Sequence, residues 1–75
     1  MNEFVICIHN KSNPASLIVG KVYRMLPDKD AESHNLIRVI DEDTSERDGY
    51  LYSASIFVPI ELPKIAERAL LPALG

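Results

Sequence analysis

A chain of 75 residues, 47% hydrophobic and 25% charged, has the length and composition of one folded domain, which excludes a disordered or low-complexity polypeptide. Eleven acidic against eight basic residues leave a net charge of −3. Lys11, Lys21, Arg24, Lys29, Arg38, Arg47, Lys64 and Arg68 are scattered singly, which weighs against a nucleic-acid binder relying on a basic patch.

Cys7 is the only cysteine, so no intrachain disulfide forms, and one Cys with His9 and His34 falls short of an ordinary zinc ligand set. No metal or cofactor is expected. A domain this small buries only ~60% of its unfolded surface, and small domains often add a partner subunit, so self-association stays open. Met1-Asn2-Glu3-Phe4 has no basic stretch before its apolar run, against a secretory signal. The longest apolar stretch, Phe4 to Ile8, is far below the roughly 20 residues of a membrane helix. A lone cysteine fits a reducing compartment, and the expected location is cytoplasmic.

Phe4-Val5-Ile6-Cys7-Ile8 is apolar on both faces, the mark of a central or barrel strand. His9 to Pro14 is a polar loop. Lys21 to Leu26 is the second strand, entered through a turn or bulge at Gly20. Pro27 to Asn35 is a polar connection with room for a single helical turn. Leu36-Ile37-Arg38-Val39-Ile40 is the third strand, rich in β-branched residues. A charged turn from Asp41 to Gly49 leads into a fourth strand, Tyr50-Leu51-Tyr52, and the two strands read as a hairpin. Ser53-Ala54-Ser55 suits a 3₁₀ turn before a fifth strand, Phe57 to Ile60, which Pro59 assigns to an edge. Pro63 opens a helix over about 63–71 that Pro72 ends, with Glu61 and Arg68 placed to suit its dipole. Ile65, Ala66, Ala69 and Leu70 form one apolar stripe, expected to dock on the barrel or on a second copy.

Two stretches carry a resemblance. Leu17-Ile18-Val19-Gly20-Lys21-Val22-Tyr23 resembles the L-x-x-G-K-x-Y entry to the second strand of many small bacterial and phage SH3-like proteins. Gly49 to Val58 is similar to the closing strand, 3₁₀ turn and final strand of SH3 domains. The resemblance implies a mainly β domain spanning 1–75: a five-stranded SH3-like small barrel over about 3–61 with a short C-terminal helix. It departs from the peptide-binding SH3 domains, since the chain has no Trp and the loop from His9 to Ser16 has no aromatic residue. Proline-rich helices dock on aromatic walls, so that activity is not implied. The closer likeness is to short bacterial proteins of uncharacterised function.

Three groups are candidates for chemistry. Asp41 to Asp48 holds five carboxylates and one Arg in eight residues. Asp41 and Asp43 match the start of a calcium loop, but Glu46 stands where the sharp turn needs Gly, so a solvated hairpin tip is the better reading. Cys7 and His9 share a strand face, yet no third group completes a nucleophile–base pair, and a strand cysteine is more often core filler. Tyr23, Tyr50 and Tyr52 form a candidate binding surface if Leu51, on the opposite face of the strand, is core. Packing of these rings across neighbouring strands is the ordinary alternative. The expected function is therefore a non-enzymatic protein-interaction or regulatory accessory module. The alternative is a nucleic-acid-associated accessory protein, in which exposed tyrosines stack bases.

Overall fold

The computed structural model describes residues 4–70. In chain order it contains β1 (Phe4–Cys7), β2 (Val22–Leu26), α1 (Lys29–Ser33), β3 (Leu36–Ile40), β4 (Tyr50–Ser53), a 3₁₀ turn (Ala54–Ile56), β5 (Phe57–Ile60) and α2 (Lys64–Leu70). The strands form one antiparallel sheet in the order β4-β3-β2-β1-β5. The expected beginning of the barrel at residue 3, the last helical residue at 71 and the stop at Pro72 lie outside the described residues. Among the described residues, no helix is long and apolar enough to cross a membrane.

The continuous apolar run of β1 follows from its place in the sheet. It pairs with β2 on one side and β5 on the other, with Ile6 opposite both Val22 and Val58. Phe4, Val5 and Cys7 are buried, so both faces of β1 are covered. Ile8, expected within the strand, lies beyond it and is exposed, although its N–H still donates to the Ile56 carbonyl at 2.9 Å. Pro59 sits in β5, which is an edge, where a missing N–H costs no ladder bond on the outer side.

The sheet must curl. Its two edge strands, β4 and β5, are consecutive in sequence and joined by the three-residue turn Ala54–Ile56. A flat sheet of five strands is about 19 Å wide at ~4.8 Å per strand. Four residue steps reach at most about 14 Å, and about 8 Å as a 3₁₀ turn. The sheet therefore bends its two edges toward each other around one core of Val5, Cys7, Leu17, Tyr23, Ile37, Val39, Tyr52 and Phe57. The Tyr23 and Tyr52 rings each meet Phe57 edge-on, at centroid distances of 6.5 and 5.9 Å.

The polar connection before β3 forms the short helix α1. Asp28 caps it by accepting from the Ala31 N–H at 3.0 Å, and the Glu32 carboxylate accepts from the Asp28 N–H at 3.1 Å, a reciprocal pair of bonds at the helix start. His34 closes the other end, its Nδ1 lying 2.8 Å from the Asp30 carbonyl. Asn35 follows with φ of 59°, a left-handed residue that turns the chain into β3. The Arg38 Nε donates to Asp28 at 3.0 Å and ties β3 to the cap of α1.

The stripe of α2, expected to dock on the barrel or on a second copy, is not buried within the single chain. No residue of α2 is buried, Ala69 is exposed, and Ile65 is 79% exposed. Only Ala66 and Leu70 of the stripe are half-buried. The carbonyl of Pro63 accepts the first helical bond, from the Glu67 N–H, so Pro63 stands one position before the first helical residue.

Candidate functional site

The acidic run after β3 is a bracket built on tyrosines. Each tyrosine of the chain donates its hydroxyl to one of three successive carboxylates: Tyr52 to Asp41, Tyr23 to Glu42 at 2.6 Å, and Tyr50 to Asp43 at 3.0 Å. Asp41 is buried and uses its other oxygen to accept the Asp43 N–H at 2.8 Å. Asp43 also accepts from the backbone N–H and hydroxyl of Ser45. The backbone N–H of Glu42 donates to the Ser16 carbonyl at 3.1 Å, joining the hairpin to the loop between β1 and β2. The first half of the run is thus structural, whereas Arg47 and Asp48 conform to the solvated tip expected of it.

The motif Leu17 to Tyr23 holds the other side of this bracket. Leu17 is fully buried and plugs the core from the loop. Gly20, at φ of 87°, turns the chain and donates to the Cys7 carbonyl at 2.7 Å. β2 begins at Val22, one residue after the expected Lys21, yet Lys21 and Tyr23, two apart, both reach Glu42: the Lys21 ammonium lies 2.6 Å from its carboxylate and 5.4 Å from the Tyr23 ring centroid. The Tyr23 hydroxyl also accepts the Ile18 N–H at 2.8 Å.

These contacts shift the ionisation of the groups. The Lys21 ammonium, with the Tyr23 hydroxyl beside it, holds Glu42 below the usual carboxylate range. The Ser45 hydroxyl and then Tyr50 do the same for Asp43. Burial, then the bond to Asp41, pushes Tyr52 up to about 12. Burial first, then Glu42, raises Tyr23 further, and the bond to Asp43 raises Tyr50. An ultraviolet titration of the folded protein is expected to show no phenol ionising at its ordinary pKa of about 10. For the buried Tyr23 and Tyr52 the folded pKa lies above the unfolded one, so their contribution to stability is complete below about pH 10, and that of Tyr52 is lost as pH rises through about 12. Two or more phenols ionising with a midpoint near 10 in a protein that remains folded would contradict the bracket.

The candidate tyrosine surface is accordingly corrected. Tyr23 and Tyr52 are core residues, 1% and 8% exposed, and Leu51 is the outward residue, 46% exposed. The alternation along β4 is as expected, but its two faces are exchanged. Hydroxyls anchored on carboxylates let both rings enter the core without an unpaired polar atom. Tyr50 alone of the three remains at the surface.

Tyr50 and Leu51 border a cleft of about 420 Å³. One wall is Asn13 and Ser16 from the loop between β1 and β2, the hairpin end is Asp41 and Asp43, and the floor runs along Tyr50, Leu51 and Tyr52. Among the described residues, no cationic side chain lines it. The cleft can receive a positively charged or hydrogen-bond-donating group beside exposed apolar surface.

The remaining candidates are not brought together. Cys7 is fully buried, and its thiol donates to the backbone carbonyl of His9 rather than to an imidazole. His9 is exposed on the loop, and the His34 ring is engaged with the end of α1. Among the described residues, no group of three or more His, Cys, Asp or Glu is placed to hold a metal ion. A disulfide-exchange reagent is expected to leave Cys7 unmodified in buffer and to react with it in denaturant; prompt reaction in buffer would show that the β1 core opens readily.

The chain matches no protein-family model, and no curated protein or solved structure shows significant similarity to it.

Proposed function

We propose that the chain is a non-enzymatic interaction module, an SH3-like small barrel that binds a protein partner through the cleft beside β4. The element order, the curl forced by the three-residue link between the edge strands, and the roles of Leu17, Gly20, Lys21 and Tyr23 support the barrel reading. The observation that carries the function is the cleft itself: exposed Tyr50 and Leu51 beside two carboxylates, with no cation in the lining. Tyrosine is enriched at the centres of protein interfaces. Carboxylates at the mouth repel phosphate, so the cleft favours a protein over a nucleic acid. The hydroxyls and carboxylates at the site are held in hydrogen bonds with one another, a structural use of these groups that supports the non-enzymatic reading.

The test is a pull-down from lysate of the source cells with tagged wild-type protein and its Leu51→Lys variant, with and without nuclease. The module reading expects a protein that survives nuclease on the wild type and is lost with the variant. Partners that disappear with nuclease, equally for both baits, would replace it with the nucleic-acid reading.

A further inference from the structure

We infer that the outer edge of β4 accepts an extended segment of another protein as an added strand, with a lysine or arginine of that segment set against Asp43 at the hairpin end of the cleft. The inference rests on the interaction-module reading and names the partner's chemistry.

The position of the cleft is the first argument. Leu51 points to one face of the sheet, and Tyr50 and Tyr52 to the other, yet all three line the same cavity. A cavity lined by residues of opposite faces reaches past the strand's edge or its end. Beside it, half of the backbone N–H and C=O groups of β4 turn away from β3. Among the described residues, β4 has a single neighbouring strand, β3.

The contrast between the two edges is the second. β5 carries Pro59, which removes a donor from that edge. β4, four residues long, reads Tyr-Leu-Tyr-Ser and has neither a proline nor a charged side chain, two of the devices that keep an edge from pairing. Main-chain bonds from an added strand supply affinity, and side chains at alternate positions supply selectivity.

Charge selects the occupant. Asp41 and Asp43 stand at one end of the groove, and Asp43 is held anionic by Ser45 and Tyr50. A second copy of β4 would bring no cation to meet them, since that strand has none. A strand from a different protein carrying Lys or Arg meets both the edge and the charge.

The test begins with a random peptide library displayed on phage and panned against the full chain. The most enriched peptide is then titrated into isotopically labelled protein, alongside the same peptide with its cations changed to glutamate and the same peptide N-methylated at alternate residues. The inference expects enriched sequences with Lys or Arg among alternating apolar residues, shifted and exchange-protected amides at Tyr50–Ser53, and binding abolished by either change to the peptide. Asp43→Asn is expected to weaken binding by about threefold, the size of one exposed ion pair. Because both peptide controls use the unaltered protein, an unstable variant does not decide the outcome. Enriched peptides that lack cations or shift α2 instead would overturn strand addition while leaving the module reading in place. So would a library that yields no binder when the pull-down retains a protein, or β4 shifts that appear on raising the protein concentration alone.

Discussion

Tyr23→Ala is expected to lower the melting temperature by roughly 15–30 °C, the largest loss at any single side chain. Deleting a buried aromatic ring costs about 3–5 kcal/mol, and a domain of this length has only about 4–11 kcal/mol in total. Each kcal/mol is worth about 4–8 °C in so small a domain. The ring is 1% exposed and meets Phe57 edge-on, and its hydroxyl bonds both Glu42 and the Ile18 N–H. Tyr23→Phe separates the two roles. It keeps the ring but strips a partner from Glu42 and from a backbone N–H, for about 1–3 kcal/mol. Calorimetry of both variants measures the division. A Tyr23→Phe protein that melts with the wild type would show that the hydroxyl bracket contributes nothing.

Gly49→Ala is expected to rank second, at about 2–5 kcal/mol, from left-handed strain together with a backbone overlap. Gly49 has φ of 64°, and a Cβ there would lie 2.5 Å from the Val39 carbonyl oxygen and 2.8 Å from its carbon. Backbone on the facing strand has no rotamer by which to move aside, so β3 and β4 must separate locally. Gly20 is the internal control. Its φ of 87° imposes the same kind of strain, but nothing lies within 4 Å of an added Cβ. Gly20→Ala is therefore expected to cost only about 1–2 kcal/mol. Denaturant melts of the two variants that place Gly20→Ala at or above Gly49→Ala would contradict the hairpin geometry.

Most of the sheet was legible in the sequence because its signals are local. Leu36–Ile40 and Phe57–Ile60 fall where β-branched and aromatic runs stand between breakers, and the 3₁₀ turn falls at the serine-alanine break. The assignment of faces on β4 was not legible. A period of two fixes which residues share a face but not which face meets the core, and hydropathy ranks Leu51 above tyrosine. What decides it is long-range: Asp41 and Glu42, on another strand's exit, satisfy the hydroxyls of Tyr52 and Tyr23. The available hint was the Lys21-x-Tyr23 spacing, which points an ammonium and a phenol the same way and so calls for an anion between them. For α2 the stripe is periodic, but periodicity shows only that an apolar face exists and not that the sheet offers it a seat; Ile65 has none.

The cleft was not legible either, because it brings Asn13 and Ser16 of one loop together with Tyr50, Leu51 and Tyr52, a juxtaposition that no sequence spacing encodes. The measurement that tests its role most directly is hydrogen–deuterium exchange of the protein with and without the partner captured by the wild-type bait. Slowed exchange confined to Asp41–Asp43 and Tyr50–Ser53 is the predicted result. Protection across Lys64–Leu70, with β4 unchanged, would contradict it and move the contact surface to the exposed helix.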